Sequence, residues 1–286
     1  MLELDSRKLT PIVSQALAED RGAGDITSQL TVDPSLEARG DFRAKADLVL
    51  AGWPVVAETF RVLSDRIASE ALYGEGDRVA GGSLLGTVRG PAVLLLGGER
   101  VALNFLQRCS GIATLTRATV GAVEGTGIDV LDTRKTTPGL RLLEKYAVAV
   151  GGGKNHRFGL YDGILIKENH IRAAGGIEAA VSRVRSGPGP AQRIEVEVSD
   201  LQELEQALRV GVEAILLDNM TPGQVGECVA RTRGRALLEV SGGIDLHNIR
   251  DYALTGVDFI SVGALTHSAR AADISLELQL AHPPGR

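Results

Sequence analysis

Aromatic residues and cysteines are both scarce in this sequence. Phe, Trp and Tyr make up only 3% of the 286 residues, whereas 35 residues are glycine. This balance favours a fold with many short strand-to-helix turns over a β-sandwich core. Cys109 and Cys228 stand far apart and have neither CxxC nor Cys/His spacing. The sequence therefore predicts no disulfide framework and no zinc site. This cysteine content is consistent with a protein of a reducing compartment.

Long hydrophobic runs are also missing. No uninterrupted apolar stretch approaches the ~18 residues that are needed to span a bilayer. The opening MLELDSRKLT lacks the apolar segment of a secretory signal. We therefore expect a cytoplasmic protein with no membrane partner.

Positive charge is in overall deficit but is concentrated locally. The formal net charge is −5 at pH 7, and a nucleic-acid-binding face would normally make the whole domain basic, so no nucleic-acid partner is expected. Residues 132–170 nevertheless concentrate cationic side chains beside turn-forming glycines, and the candidate site residues among them are Arg134, Lys135, Lys145, His156, Arg157 and Lys167. Such a cluster in an acidic protein indicates a pocket for the phosphate or carboxylate groups of a small molecule.

From about residue 128 onward, short apolar runs alternate with amphipathic helical segments. The runs are IDVLD, GILIK, RIEVEV, AILLD, ALLEVSGG and DFISVGA. Asp200, Thr221-Pro222 and Asp245 are start signals for helices between them. This alternation is typical of a parallel barrel. The sequence thus predicts an α/β fold with a C-terminal parallel β/α barrel that is TIM-like but incomplete.

The first part of the chain has a different pattern, a helical start followed by β-rich sequence. The run G-D-x-V-x-x-G-x-x-L-G-x-V resembles half of a biotinyl or lipoyl-type domain, but no lysine stands in a tight hairpin, which argues against a swinging cofactor arm. We expect an N-terminal α+β sandwich-like covering domain at residues 1–105 and the barrel at 106–272. Residues 273–286 are expected to form a C-terminal tail that can return to the N-terminal domain.

Nearly every predicted barrel strand ends in a polar residue or glycine. These residues are Asp132 followed by Arg134, then Lys167, Glu197, Asp218, Ser241 and Gly263. In a parallel β/α barrel such positions open onto the C-terminal rim, where active sites are built. The same residues could instead serve only as helix-capping turns, which also use Asp, Ser and Gly. This alternative explains Ser241 well but explains Lys167 poorly. The pattern therefore indicates a site at this rim.

The cationic stretch carries motifs that resemble one enzyme family. They are DTRKT-x-PG, KYAV-x-x-GGG-x-NHR-x-GL-x-D and LIK-x-NH. Further matches follow along the chain: GD-x-TS (24–28), ER-x-x-LN (99–104), SGIAT (110–114), EVEV (195–198), LLDN (216–219), SGGI (241–244) and VGALTHS (262–268). In this order they resemble the quinolinate phosphoribosyltransferases, the carboxylating nicotinate-nucleotide pyrophosphorylases, over nearly the whole chain.

The resemblance implies a reaction of de novo NAD biosynthesis. Quinolinate and phosphoribosyl pyrophosphate would give nicotinate mononucleotide, pyrophosphate and CO2. Quinolinate carries two carboxylates, and the planar fork of arginine can bind a carboxylate bidentately. The resemblance implies a quinolinate pocket of Arg134, His156, Arg157 and Lys167, with Arg100 contributed by a neighbouring subunit. We therefore expect a homodimer or a higher oligomer with its active site at the subunit interface.

The resemblance also implies the phosphoribosyl end of the site. Glu197 and Asp218 match the ribose-side acids, and with Lys135 and Lys167 they form the predicted catalytic set. Lys135 is expected near the pyrophosphate and Lys167 near the reacting pyridine carboxylate. The remaining predicted substrate-binding residues are Thr133 and those of two loops expected to hold the 5′-phosphate: Ser241, Gly242, Gly243, Val262, Gly263 and Ala264. Lys145 and Lys154 are expected to face solvent or outer phosphates.

Magnesium is the expected cofactor, and its role would be to neutralise the pyrophosphate leaving group. Mg²⁺ takes few protein ligands and relies on substrate phosphates, so a dense acidic cage is not required. Glu197 and Asp218 are the candidate protein ligands.

Four alternatives stay open at this point. A lysine that ends a barrel strand, as in ILIK, is also what Schiff-base lyases use. AILLDNMTPG is faintly similar to the acidic loop of a type I phosphoribosyltransferase, although Asn219 replaces the second acid. A molybdenum-associated paralogue shares much of the motif run. The lipoyl-like stretch allows a non-catalytic binding module.

Overall fold

The structure, a computed structural model, describes residues 4–187 and 193–280. The chain divides into two compact units, and neither is continuous in sequence. The first unit comprises Met1–Arg117, Thr137–Gly152 and Ser268–Arg286. The second comprises Ala118–Thr136 and Gly153–His267. The domain boundaries at residues 105 and 272 stay predictions, and the end of the predicted tail, 281–286, lies outside the described residues.

The first unit combines helices with an antiparallel sheet. Its helices are α1 (Ser6–Arg21), α2 (Ile26–Thr31), α3 (Trp53–Leu63), α4 (Ala92–Ala122, which runs on past the end of the unit at Arg117) and α5 (Arg141–Val150). Its strands are β1 (Glu37–Ala44), β2 (Leu48–Val49), β3 (Ala68–Ala71), β4 (Arg78–Val79), β5 (Leu84–Pro91) and β12 (Ile274–Leu280). Four of the strands form a sheet in the order β12-β1-β5-β3, and β2 pairs with β4.

Strand β1 is one of the two central strands of this sheet and pairs antiparallel with β12 and β5. Ala38 faces Leu280 and Ala44 faces Ile274 on β12, while β5 pairs with its other edge. Phe42 of β1 is fully buried and meets the ring of Trp53 edge-on, with 5.4 Å between ring centroids. Phe60 packs edge-on against Phe42 as well. These three aromatic residues therefore pack together in the core of the first unit.

Helix α5 is enclosed in the first unit on nearly all sides. Seven of its residues are buried: Leu143, Glu144, Lys145, Tyr146, Ala147, Val148 and Val150. The Glu144 carboxylate accepts hydrogen bonds from the guanidinium of Arg108, at 2.8 and 3.0 Å, and from the hydroxyl and N–H of Thr137. Lys145 has no exposed surface. The expectation that Lys145 faces solvent or outer phosphates is wrong, because its side chain is fully buried.

The second unit is built on parallel strands. These are β6 (Asp129–Leu131), β7 (Ile164–Ile166), β8 (Ile194–Val198), β9 (Ala214–Asp218), β10 (Leu237–Ser241) and β11 (Phe259–Ser261). Its helices are α6 (Glu168–Ala174), α7 (Ile177–Ser186), α8 (Leu201–Val210), α9 (Pro222–Thr232), α10 (Ile249–Ala253) and α11 (Ala264–His267). The strands form one sheet in the order β6-β11-β10-β9-β8-β7. The predicted α/β fold, with its incomplete C-terminal barrel, is confirmed.

Alternation along these strands determines which side chains share a face. Successive residues of a strand point to opposite sides of the sheet. The register aligns Glu197 with Leu216, Leu216 with Glu239, and Ser241 with both Asp218 and Ser261. One face of the sheet therefore carries carboxylates and hydroxyls on several adjacent strands.

Capping residues explain where the helices of this unit begin. The Asp200 carboxylate accepts from the N–H of Glu203 and starts α8, and Thr221 with Pro222 starts α9, as predicted. Helix α10 is shorter than the predicted segment LHNIRDYALT. Asp245 accepts from the N–H of His247 and holds a turn there, so the helix begins only after Asn248.

Membrane insertion of a helix is not indicated. Across residues 4–187 and 193–280, no helix combines the length and the apolar character that a bilayer crossing requires.

The glycine of the SGIAT motif provides a test of the packing of α4. A Cβ at Gly111 would come within 2.0 Å of the carbonyl oxygen of Arg270, whereas a Cβ at Gly121 on the same helix would meet nothing within 4 Å. Gly111→Ala should destabilise the fold by roughly 1–3 kcal/mol through overpacking. Gly121→Ala should stabilise it by up to about 1 kcal/mol through helix propensity. The melting temperatures of the two variants check this, and a Gly111→Ala protein as stable as Gly121→Ala contradicts it.

Candidate active site

A cavity of about 300 Å³ opens at the carboxyl ends of the parallel strands. Its lining combines four cations with carboxylates and hydroxyls. The lining residues are Thr133, Arg134, Lys135, His156, Arg157, Leu165, Lys167, Glu197, Leu216, Asp218, Glu239, Ser241 and Ser261, with His156 counted apart from the four cations. Most of the predicted site residues are thus brought together in one place.

The turn after β6 supplies Thr133, Arg134 and Lys135. The backbone N–H of Lys135 donates to the Thr133 hydroxyl at 3.0 Å, which closes the turn. The carbonyl oxygen of Lys135 accepts from the hydroxyl of Thr266 on α11 at 2.8 Å. The turn is therefore held from both sides, and its side chains reach the cavity from a fixed backbone.

The NHR segment is held by a buried carboxylate. Asp132 is completely buried and accepts from the backbone N–H of His156 at 2.9 Å and from the Asn155 amide at 2.6 Å. The Arg157 guanidinium donates to the carbonyl oxygen of Gly163 at 3.0 Å. Burial and the neighbouring charge of Arg134 lower the pKa of Arg157, while Glu195 opposes the shift. The two guanidinium groups are therefore close enough to repel each other.

Carboxylates stand on the neighbouring strands at the same rim. The ammonium group of Lys167, the residue that follows β7, makes an ion pair with Glu197 of β8. Asp218 ends β9 and accepts from the side-chain amide of Asn219 at 2.7 Å. Burial first, and then the negative charge of Glu197, raise the pKa of Asp218. The rim thus has an acidic side next to its cationic side.

Two glycine-containing loops lie at the ends of β10 and β11, at residues 241–243 and 262–264. Gly242 has a φ of +103°, and a Cβ there would lie 2.2 Å from the Asn219 side chain, so only glycine fits. A Cβ at Gly263 would lie 3.1 Å from the Lys135 side chain. Of the predicted loop residues, Ser241 lines the cavity, and the others do not: Gly242, Gly243, Val262, Gly263 and Ala264.

Arg100 lies in the other unit. It is exposed on α4 within the first unit. Its predicted contribution to the site of a neighbouring subunit stays a prediction. Lys154, which was expected to face solvent or outer phosphates, is exposed and pairs with Asp129 at 2.5 Å.

Sequence reasoning missed the acids beneath His156. The His156 Nε2 atom lies 3.2 Å from an oxygen of Glu195 and 3.6 Å from an oxygen of Glu239. The hydroxyl of Ser261 donates to Glu239. Burial first, and then the charge of Glu195, raise the pKa of Glu239 to about 7. Strand alternation could have identified them. Glu195 and Glu239 lie two residues before Glu197 and Ser241 on the same strands, and therefore on the same face of the sheet.

A second cavity, of about 490 Å³, lies at the other end of the same strands. Ile164, Ala214 and Phe259, the first residues of β7, β9 and β11, line it. His156, Arg157 and Glu239 line both cavities. Together with Glu195 they therefore form a layer between the two cavities, which we call the floor of the first cavity.

The chain matches known proteins over nearly all of its length. Two family models match, the N-terminal domain of quinolinate phosphoribosyl transferase over residues 25–110 and its C-terminal domain over residues 112–277. The nicotinate-nucleotide pyrophosphorylase (carboxylating) of Mycobacterium leprae is 45% identical over 286 residues, and the alignment covers 96% of this chain and 98% of the relative.

Solved structures agree with the sequence comparison. The crystal structure of NadC from Streptococcus pyogenes has a TM-score of 0.93 at 39% identity and covers 98% of this chain and all of that one. The nicotinate-nucleotide pyrophosphorylase from Francisella tularensis has a TM-score of 0.92 at 40% identity, with 97% of this chain and 98% of that one covered. The chain belongs to the quinolinate phosphoribosyl transferase family.

Proposed function

We propose that this chain transfers the phosphoribosyl group of phosphoribosyl pyrophosphate to quinolinate and yields nicotinate mononucleotide, pyrophosphate and CO2. The observation that carries the proposal is the grouping of Arg134, Arg157 and Lys167 around one cavity that the carboxylates of Glu197 and Asp218 also line. The cations can pair with the carboxylates of quinolinate and with phosphates, and the two carboxylates can accept hydrogen bonds from the ribose hydroxyls.

The cationic side of the cavity fits quinolinate. Burial and the charge of Arg134 both disfavour the charged form of Arg157, and a dianion bound beside the two arginines would offset that effect. Bidentate pairing of guanidinium with carboxylate would also fix the orientation of the pyridine ring. His156 lines the same end of the cavity. We assign this end to quinolinate, with Lys167 beside the carboxylate that is lost.

The acidic side fits the phosphoribosyl group. Glu197 and Asp218 are natural hydrogen-bond acceptors for the vicinal hydroxyls of a ribose. Lys135 reaches the cavity from the turn after β6 and could pair with the pyrophosphate. The 5′-phosphate is assigned to the loops at Ser241–Gly243 and Val262–Ala264. The support is their position at the ends of β10 and β11 and their glycine content, since glycine-containing turns bind phosphate through backbone N–H groups.

The residues at the rim also fit a magnesium ion. Glu197 and Asp218 offer carboxylate oxygens on adjacent strands, and burial first, and then the charge of Glu197, raise the pKa of Asp218. Mg²⁺ is expected to be held mainly by the substrate phosphates, with these two carboxylates as its protein ligands. When bound, the ion would neutralise charge on the pyrophosphate leaving group.

The proposed reaction needs little proton transfer from the protein. The pyridine nitrogen already has a free lone pair, and it attacks ribose C1 as the bond to pyrophosphate breaks. The protein's task is to align the two substrates and to stabilise the developing charge. The adjacent carboxylate then leaves as CO2, the electron pair of the broken bond stays on the ring carbon beside the positive nitrogen, and a proton from solvent bonds to that carbon to complete nicotinate mononucleotide. The cationic pocket must hold that carboxylate without stabilising it too strongly.

We further propose that the active form is a homodimer or a higher oligomer whose site includes Arg100 of a neighbouring subunit. The support is the exposed position of Arg100 on α4, in the ER-x-x-LN motif. A cytoplasmic location is proposed as well, since Cys109 and Cys228 are both buried free thiols.

Turnover is the first test. Purified protein incubated with quinolinate, phosphoribosyl pyrophosphate and Mg²⁺ should release nicotinate mononucleotide, pyrophosphate and CO2 in equal amounts. Removal of divalent cations by a chelator should abolish the reaction, because the leaving group would then carry its full charge. Liquid chromatography and CO2 capture measure the products. Quinolinate binding without turnover would support the binding module instead, and borohydride trapping of a carbonyl compound on Lys167 would support the lyase.

The role of Arg157 can be tested by a change that keeps its charge. Arg157→Lys should raise the KM for quinolinate at least about tenfold, because the planar fork is lost although the charge remains. The KM for phosphoribosyl pyrophosphate should change little. Arg172→Lys is the matched control, since Arg172 is exposed and pairs only with Glu168 on the surface among the contacts described. Equal effects on both KM values would show that Arg157 does not belong to the quinolinate end.

Subunit mixing tests the contribution of Arg100. Arg100→Ala and Lys167→Met should each be inactive alone, whereas a mixed dimer should recover activity. In that dimer one site combines Arg100 of one subunit with Lys167 of the other, so up to half of the sites would be intact. Activity measured after co-refolding or co-expression checks this. Mixed dimers that stay inactive, although mass spectrometry shows that they form, would rule out a site shared between subunits.

A further inference from the structure

The residue that follows β9 has a backbone conformation that few side chains adopt. Asn219 has a φ of 55°, in the left-handed region where residues other than glycine are uncommon. We propose that Asn219 is a positioning residue, whose side chain fixes the carboxylate of Asp218 for the ribose hydroxyls and whose backbone ties that carboxylate to the loop at 241–243. The proposal deepens the proposed function and rests on it.

The backbone of Asn219 is fixed on both sides. Its N–H donates to the carbonyl oxygen of Ser241, the last residue of β10, at 2.9 Å. The next residue, Met220, is 3% exposed, and its carbonyl oxygen accepts from the hydroxyl of Tyr252 on α10 at 3.1 Å. Thr221 then starts α9 as its capping residue. A left-handed conformation persists only where such contacts determine it, and residues held in this way are frequent at functional sites.

The side chain of Asn219 lies between the rim acid and the neighbouring loop. Its amide N–H donates to the carboxylate of Asp218 at 2.7 Å. Its carbonyl oxygen lies beside Gly242, since a Cβ at Gly242 would be 2.2 Å from that atom. A carboxylate can accept about four hydrogen bonds, so the bond from Asn219 can orient Asp218 while other positions serve the ribose hydroxyls.

The hydrogen bond also favours the charged form of Asp218. Burial first, and then the negative charge of Glu197, raise the pKa of Asp218, whereas the hydrogen bond from Asn219 opposes that rise. Asn219 does not itself line the cavity. Its amide is neutral, and substrate binding in the cavity need not displace it from Asp218. The geometry therefore indicates an indirect role, through the orientation of the carboxylate.

The same backbone conformation occurs at a second residue, where it ends a helix. Arg233, with a φ of 51°, is the other residue besides the glycines with a left-handed backbone among the described residues. It is exposed, and its N–H donates to the carbonyl oxygen of Val229 at 3.2 Å to close α9. Arg233 comes shortly before the start of β10, whereas the cavity lies at the carboxyl ends of the strands. It therefore provides a matched control for Asn219.

Two glycine variants separate the role of the side chain from that of the backbone. Glycine adopts the left-handed conformation readily, so Asn219→Gly and Arg233→Gly each keep the turn and lose a side chain. Asn219→Gly should raise the KM for phosphoribosyl pyrophosphate roughly tenfold, because a hydrogen bond to a charged group is lost. The KM for quinolinate should change less than about twofold. Arg233→Gly should leave both KM values unchanged.

A double-mutant cycle on binding tests whether Asn219 acts through Asp218. The ligand is nicotinate mononucleotide without added metal, and isothermal titration calorimetry on the full chain measures its Kd. Asn219→Gly should weaken binding roughly tenfold in the wild-type background. In the Asp218→Ala background the same change should cost less than about threefold, since the carboxylate that it positions is gone. If Asn219→Gly does not fold, Asn219→Asp replaces it in both tests, because aspartate tolerates this backbone and lacks the amide donor.

The outcomes separate this proposal from the proposed function. An unchanged KM for phosphoribosyl pyrophosphate in Asn219→Gly, or the same rise in Arg233→Gly, would overturn the positioning role. Equal losses of affinity in the two backgrounds would show that Asn219 acts independently of Asp218 and would overturn it as well. In each of these cases wild-type turnover would still stand. Absence of nicotinate mononucleotide formation by the wild-type protein would instead remove the proposed function, and this proposal with it.

Discussion

Confinement of like charges is the constraint on which this site depends. Burial first, and then the charge of Arg134, lower the pKa of Arg157, so both disfavour its charged form. Such an arrangement persists only when nearby groups of opposite sign offset it. Glu195 does so for Arg157, and Glu197 pairs with Lys167 across the rim. The cavity therefore combines cations that can pair with an anionic substrate and carboxylates that offset their mutual repulsion.

The sheet explains how residues far apart in sequence reach this cavity. Parallel strands all end at the same edge, and alternation along each strand decides whether a side chain faces the cavity. Glu195 and Glu197 therefore share a face two residues apart on β8, one at the floor and one at the rim. Glu239 and Ser241 repeat the arrangement on β10, aligned by the register with Leu216 and Asp218. The same strand thus supplies both a rim group and a group beneath it.

Much of the second unit could be predicted from the sequence because its signals are local. The six apolar runs all became strands, and Asp200 and Thr221 start their helices by side-chain capping. The cationic residues of the rim could be predicted because they follow strand ends or lie within recognisable motifs. Lys145 could not be placed, since its burial depends on the packing of α5 within the first unit, which local sequence does not report. Glu239 was missed for a similar reason, because a charged residue within a buried strand becomes interpretable only when its neighbours on other strands are known.

The position of bound quinolinate tests the account most directly. A crystal structure of the protein with quinolinate is predicted to place its two carboxylates within hydrogen-bond distance of the guanidinium groups of Arg134 and Arg157. Quinolinate bound away from these two arginines would contradict it.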